Sequence, residues 1–224
     1  MVAGTPQPPL HQRAATDLFL SQTTNLAYLV VPKAACTALK WAVCELDGRD
    51  MDGVRPRDMH GGSEIARCCH ASSTRVPMGE RFTFTFVREP IDRFLAFYRN
   101  KILLKWDEAI GERLAGQGFH YGMPVQEAVD ALVAHGDRSW VLDPHVIPQY
   151  CLVYGVDGRS RCDFVGRLEQ SAMDLGRLQA LSGHRLELKR IHVSKRRPDV
   201  PLDPPYRAKL RDFYAPDYEL FDYR

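Results

Sequence analysis

Two isolated cations stand where an apolar run gives way to a helical pattern. In YLVVPKAACTALKWAV, residues 28–43, the run ends on Pro32 and Lys33, passes the small residues Ala34, Ala35 and Cys36, and turns amphipathic. In RFTFTFVREPIDRFLAFYRN, residues 81–100, the alternation of Phe82, Phe84 and Phe86 with Thr83, Thr85 and Val87 ends on Arg88, two residues before Pro90. A helix opening after a strand presents unpaired N–H groups and the positive end of its dipole, so an anion is the expected guest of each junction. Two such junctions suit two phosphate-like groups of one ligand, and a guanidinium can pair two phosphate oxygens at once. The first junction is not a nucleoside-triphosphate loop. That motif, G-x-x-x-x-G-K-[ST], needs glycines to curl its amides round a phosphate, whereas residues 32–37 contain none and their lysine comes near the start.

The elements that must position these cations follow from pattern. Residues 25–31 read as a buried strand and 37–46 as a helix, with Leu39, Ala42, Val43 and Leu46 at i, i+3, i+4, i+7 and Thr37 as its cap. The polar, glycine-bearing stretch 47–80 predicts loops with one short helix over 63–69. Residues 82–87 alternate as a strand, and Pro90 opens a helix that buries Ile91, Phe94, Leu95, Tyr98 and Ile102. Further helices are expected over 125–135, 168–181 and 205–214, a strand over 186–194 and an extended connection over 198–205. Alternating strands and helices predict an α/β fold with a mostly parallel sheet covered on both faces. In such a sheet both cations lie at the carboxyl ends of their strands, where ligands bind. Residues 1–16 read as a flexible tail and 17–224 as a single domain, with enough apolar content, 45%, for one substantial core.

Composition narrows the function classes. With 30 basic against 28 acidic residues and a formal charge of +2, bulk electrostatics give no reason to expect a nucleic-acid partner. No run of eighteen apolar residues occurs and residues 1–17 lack a signal-peptide core, so a cytoplasmic protein without a membrane partner is expected. The six cysteines match neither zinc-ribbon spacing nor the density of a disulfide scaffold; they read as reduced, with a Cys151–Cys162 pair across a loop as the alternative. Adjacent Cys68 and Cys69 beside His70 are poorly spaced for one tetrahedral ion, so buried thiols are preferred and no metal is expected.

The same segments bear a family likeness. VPKAACTALK resembles the 5′-phosphosulfate loop, and FTFVREPIDRFLAFYRNKI the 3′-phosphate segment, of the carbohydrate sulfotransferases typified by chondroitin and dermatan 4-O-sulfotransferases. DPHVIPQYCLVYGVDGRSRCDFVGRLEQ, residues 143–170, is similar to the family's His-containing stretch followed by Pro-Gln and Asp-Phe-Val-Gly, and LRDFYAPDYELFDY, residues 210–223, to its Tyr/Phe-rich closing segment. These four ordered patches span most of the chain. The resemblance implies the three-layer α/β sandwich of the P-loop-nucleotide-kinase-like sulfotransferase fold. It also implies a metal-free transfer of a sulfuryl group from 3′-phosphoadenosine 5′-phosphosulfate (PAPS) to a hydroxyl by in-line displacement. In that reading Lys33 stabilises the charge that grows on the departing phosphate. The backbone of Ala34, Ala35, Cys36, Thr37 and Ala38, with the Thr37 hydroxyl, cradles the 5′-phosphosulfate, Arg88 pairs with the 3′-phosphate, and Ser194 and Lys195 belong to a loop closing over the donor.

Departures from the pattern carry information too. Ala96 stands where the family usually places a serine that binds the 3′-phosphate, and Cys36 where serine is common. Arg93, Arg99 and Asn100 are candidate substitutes, the alternative for Arg93 being a solvated helix residue paired with Asp92. For the general base, His70 is the first candidate, because it precedes the Arg88 strand in a loop region as the base does in some related enzymes. His145, in the matched Asp143-Pro144-His145 segment, is the second. The alternative for each is a structural or surface histidine. For the acceptor, Arg99, Lys101, Lys105, Arg196 and Arg197 are candidates to line a cleft for an anionic sugar, and Trp106, Phe119 and Tyr121 either stack on a sugar ring or belong to the core. The family's Golgi members carry a membrane anchor; its absence here predicts a cytosolic, bacterial enzyme acting on a saccharide, a glycolipid or a glycosylated metabolite. Two other classes stay open: a magnesium-dependent nucleotide phosphotransferase, and a non-catalytic nucleotide- or glycan-binding relative, which Ala96 would suit.

Overall fold

The computed structural model describes residues 17–60, 63–72, 80–104, 108–136, 141–155, 157–189 and 199–224. Its elements are β1 (Asp17–Leu20), β2 (Leu26–Leu29), α1 (Cys36–Leu46), α2 (Glu64–Cys69), β3 (His70–Ser72), β4 (Phe82–Val87), α3 (Pro90–Phe97), α4 (Glu108–Ala115), α5 (Val125–Val133), α6 (Tyr150–Val153), β5 (Phe164–Arg167), α7 (Ser171–Ser182), α8 (Pro204–Phe213) and α9 (Ala215–Leu220). Single 3-10 turns lie at Pro56–Met59 and Leu168–Gln170, and a π-helical stretch, Tyr98–Leu104, prolongs α3. The chain divides into two compact units: the described residues of 15–87 and 153–194 form one, and those of 88–152 and 195–224 the other.

The first unit is built on a five-stranded sheet of order β3-β1-β2-β4-β5. The α/β expectation holds. β2 and β4 run parallel as expected and β5, which pattern reading did not mark as a strand, pairs parallel beside β4, while β1 and β3 join antiparallel, making the sheet mixed. Only five residues link β1 to β2, which a hairpin can span and a parallel crossover cannot. Register places His70, Phe19, Tyr28, Phe84 and Phe164 opposite one another across all five strands, a row of rings one residue deep. Tyr28 and Phe84 lie 5.4 Å apart, and Phe19 meets His70 edge-on at 5.3 Å. On this face α1 contributes Leu39, Ala42, Val43 and Cys44 to the core and α7 contributes Leu178. The other face of β4 is buried as well, and Thr85 satisfies its hydroxyl by donating to the Leu29 carbonyl at 2.8 Å. Gly166 of β5 sits against the Phe86 ring; a Cβ there would lie 2.6 Å from a ring carbon, so the Asp-Phe-Val-Gly motif carries its glycine for close packing.

In the second unit α3 and its π-helical extension bury Ile91, Phe94, Leu95, Tyr98 and Ile102, as the periodicity predicts. α8 begins at Pro204, one residue before its expected start, and the unforeseen α9 follows it with a proline in its first turn. The Tyr214 hydroxyl between them is buried and donates to the Val146 carbonyl at 2.7 Å. The strand expected over 186–194 is not formed at residues 184–189, which carry no regular structure; its remaining residues, like the expected tail 1–16, lie outside the described residues.

Candidate active site

The loop after β2 reaches its shape without glycine, through two left-handed non-glycine residues, Lys33 at φ 66° and Ala35 at φ 58°. Each costs roughly 1–2 kcal/mol relative to the ordinary helical region. Because Pro32 and Ala34 stay at negative φ, the sign alternates along the loop, the arrangement that turns successive amides toward a common anion. The Ala34 N–H instead turns back to the Val31 carbonyl at 3.4 Å, and Ala34 is buried, so the amides at the helix start are those of Ala35, Cys36, Thr37 and Ala38. Thr37 is not the cap. Ala35 occupies that position with no side-chain hydrogen bond, and the Thr37 hydroxyl lies 2.9 Å from His60 Nε2. α1 also has no acidic residue in its first turn, so no carboxylate of its own offsets the positive end of its dipole. At the carboxyl end of β2, the wholly buried Tyr28 hydroxyl has no hydrogen-bond partner among the described residues; burial, then the neighbouring Cys36, push it well above the usual phenol range.

The junction after β4 differs. Glu89 caps α3 with its own carboxylate, accepting from the Asp92 N–H at 2.6 Å, and Asp92 adds a second charge to the first turn. This helix start is therefore not an open anion seat, contrary to expectation, and positive charge at the junction comes from the Arg88 side chain. That side chain is 19% exposed and lies 3.9 Å from Asp92. Arg93 is neither solvated nor paired with Asp92. It is 1% exposed and donates to the carbonyls of Ile147 at 2.7 Å and Pro144 at 2.8 Å, clamping the segment that carries His145. Ala96 and the candidate substitutes Arg99 and Asn100 are half-buried.

The two candidate bases have different surroundings. His70 opens β3 rather than lying in a loop, and its Nε2 is 3.0 Å from the ammonium of the buried Lys40, which also donates to the Met59 carbonyl at 3.1 Å. Burial first and the Lys40 charge second hold His70 below the usual imidazole range. His145 has its Nδ1 2.6 Å from Asp143 Oδ1, and its own N–H donates to the same oxygen at 2.9 Å. The other Asp143 oxygen is 2.6 Å from Arg113 Nη2. Burial alone would raise the Asp143 carboxyl, yet the His145 hydrogen bonds and the Arg113 charge hold it at about 2. An ionised carboxylate on Nδ1 keeps that nitrogen protonated and leaves Nε2 as the basic atom of the neutral ring, the arrangement in which an acid orients a general base. Pattern reading named neither Lys40 nor the part played by Asp143; position i−2 to a histidine was the available signal for the latter.

The remaining candidates separate by burial. Phe119 belongs to the core against Phe97, ring centroids 5.5 Å apart, whereas Tyr121 is 60% exposed. Lys101 is half-buried, and Ser194, Lys195, Lys105, Trp106, Arg196 and Arg197 lie outside the described residues. All six cysteines are free thiols; Cys69 is buried and Cys68 exposed. Among the described residues no helix is long and apolar enough to cross a membrane, and no group of three or more His, Cys, Asp or Glu side chains is placed to hold a metal ion.

Comparison with known proteins places this geometry in context. The sequence model of the Sulfotransferase family matches residues 16–224. The chain is 24% identical to carbohydrate sulfotransferase 11 of Rattus norvegicus over 92% of its own length and 66% of that protein's. It is 25% identical to carbohydrate sulfotransferase 11 of Mus musculus over 57% of this chain and 40% of the relative. Against carbohydrate sulfotransferase 14 of Mus musculus it is 25% identical over 74% of this chain and 47% of the relative. It thus spans less than two thirds of each relative. No solved structure matches the chain at a comparable level of significance.

Proposed function

The chain belongs to the sulfotransferase family over residues 16–224, and from that premise we propose that it moves a sulfuryl group from PAPS to a hydroxyl of a saccharide or glycosylated metabolite. The observation that carries the reading is the loop from Pro32 to Cys36. It bears two left-handed non-glycine residues and leads into a helix with no side-chain cap and no acid in its first turn. Strain of this kind persists where surrounding structure holds a functional geometry. The carbohydrate-specific names of the relatives support a saccharide acceptor.

In this reading the acceptor oxygen attacks sulfur in line with the bond to the 5′-phosphate, that bond breaks, and 3′-phosphoadenosine 5′-phosphate departs. The amides of Ala35 to Ala38 hold the phosphosulfate, and the Lys33 ammonium stabilises charge growing on the bridging oxygen. Arg88 pairs with the 3′-phosphate. His145 takes the acceptor proton on Nε2 while Asp143 and Arg113 fix the ring; His70, whose Nε2 faces an ammonium, serves as an anchor for β3 and α1. Ser194 and Lys195 remain proposed donor contacts on sequence grounds alone.

Calorimetric titration with 3′-phosphoadenosine 5′-phosphate in EDTA-containing buffer tests the reading. Micromolar binding that is lost in Arg88→Ala is expected; absence of binding by the folded wild-type protein would overturn it, and binding only with added magnesium would favour a phosphotransferase.

A further inference from the structure

Gln149 has no reacting group, yet its side chain is wholly buried and pairs both backbone groups of Arg88. The Arg88 N–H donates to Oε1 at 2.9 Å, and Nε2 donates to the Arg88 carbonyl at 2.8 Å. A side-chain amide used this way reproduces one rung of a strand ladder and fixes the backbone on both sides of the residue. Gln149 is held in turn by Asp217 of α9, also wholly buried. One Asp217 oxygen accepts from the Gln149 N–H at 2.7 Å and lies 3.4 Å from its Nε2, and the other accepts from the Tyr150 N–H at 2.8 Å. The next residue of α9, Tyr218, gives its hydroxyl to Glu89 Oε1, while the second oxygen of Glu89 caps α3. Arg88 and Glu89 are therefore both gripped from α9, one through Gln149 and one directly. Removing a carboxylate from water is costly even when hydrogen-bonded, so this device serves geometry more than stability.

We propose that Gln149, oriented by Asp217, is a positioning residue that aims Arg88 at the donor's 3′-phosphate, making the chain's closing helix part of donor recognition. The inference rests on the reading of Arg88 as the 3′-phosphate partner. It also accounts for two sequence features that reading leaves unused, the Pro-Gln of residues 148–149 and the closing Asp-Tyr of residues 217–218.

The test compares two probes, 3′-phosphoadenosine 5′-phosphate and adenosine 5′-phosphate, which differ only by the phosphate in question. Affinities are measured calorimetrically for wild type, Arg88→Ala, Gln149→Glu and Asp217→Asn, with circular dichroism confirming that each is folded. Gln149→Glu removes the donor to the Arg88 carbonyl and sets a second carboxylate against Asp217. It is expected to weaken the 3′-phosphorylated probe by about tenfold or more, the worth of one charge-assisted hydrogen bond, and to leave the other probe unaffected. In an Arg88→Ala background the same change should have no further effect. Equal weakening of both probes, or no change in either, would reduce Gln149 to a structural residue and overturn the proposal. Should Gln149→Glu fail to fold, Asp217→Asn decides by the same ratio, which must fall. If wild type shows no preference between the probes, or keeps its preference in Arg88→Ala, the reading of Arg88 falls and takes this inference with it. A ratio that collapses in Arg88→Ala but survives in both positioning variants sinks the inference alone.

Discussion

The ammonium of Lys40 lies 3.0 Å from Nε2 of His70, and both groups bear on the Phe19 ring, Lys40 at 5.6 Å from its centroid and His70 edge-on at 5.3 Å. An ammonium donating to Nε2 occupies the imidazole lone pair and sets the ring's own proton on Nδ1. Burial is the larger cause of the lowered His70 pKa and the Lys40 charge the next. Lys40→Met is therefore expected to raise the His70 pKa toward the ordinary imidazole value. Nitrogen-15 NMR titration of the ring reads this directly, and an unmoved titration would mean that the pair does not exist in solution.

Lys33→Ala tests the opening lysine separately from the loop that carries it. The side chain is half-buried and its left-handed backbone is strained for alanine as well, so fold and donor binding should survive. Transfer should fall by about a hundredfold or more, the usual effect of deleting one electrostatic stabiliser of a developing charge. Wild-type turnover in a folded Lys33→Ala protein would remove the role.

Asp143→Asn probes the base. The variant keeps the shape of the side chain but removes the charge that holds the proton on His145 Nδ1, so the ring is free to adopt the opposite tautomer, with Nε2 protonated and unable to accept. A loss in kcat of roughly a hundredfold or more is expected, with KM for the donor unchanged. His70→Asn should cost far less in rate; the reverse order of effects would return the base to His70.

Legibility from sequence followed the range of the interactions involved. Helix faces were readable because their period is local: all five apolar positions assigned to the helix after Pro90 are buried. β1, β3 and β5 were not, since strands of four, three and four residues offer no period to count and their pairing is set by neighbours distant in sequence; β2, equally short, was read only because it lies in a continuous apolar run. The cap of α1 misled for a related reason. Thr37 has the right chemistry, but a left-handed Ala35 starts the helix and a histidine 23 residues away takes the threonine hydroxyl. Arg93 defeats composition reasoning most plainly, as its guanidinium lies among carbonyls 51 and 54 residues distant that no local pattern reveals. The places of Lys33 and Arg88, each between a strand and the helix that follows it, were legible because the apolar run and the helical period on either side are both local.

Asp217 separates stability from function by pH. Burial raises its carboxyl to about 6, against the opposing pull of the Gln149 and Tyr150 N–H groups and the Arg93 charge. A folded-state pKa above the unfolded value of about 3.9 means that the folded state favours the protonated form. This residue's contribution is thus fully present below pH about 4 and is lost as pH rises through about 6. The unfolding free energy of wild type relative to Asp217→Asn should fall across that window, at no more than about 1.4 kcal/mol per pH unit, and be flat above it. Asp143, held at about 2, titrates below the window and cancels in the difference. Urea unfolding of both proteins across the pH range measures this, and a difference independent of pH would show that Asp217 does not titrate there. Donor affinity should run the other way, because the ionised carboxylate is the better acceptor for the groups that hold Gln149. Taken relative to Asp217→Asn, in which the titration of the probe's own phosphate near pH 6 cancels, acidification through pH 6 then strengthens the contribution of Asp217 to the fold while loosening the grip on Arg88.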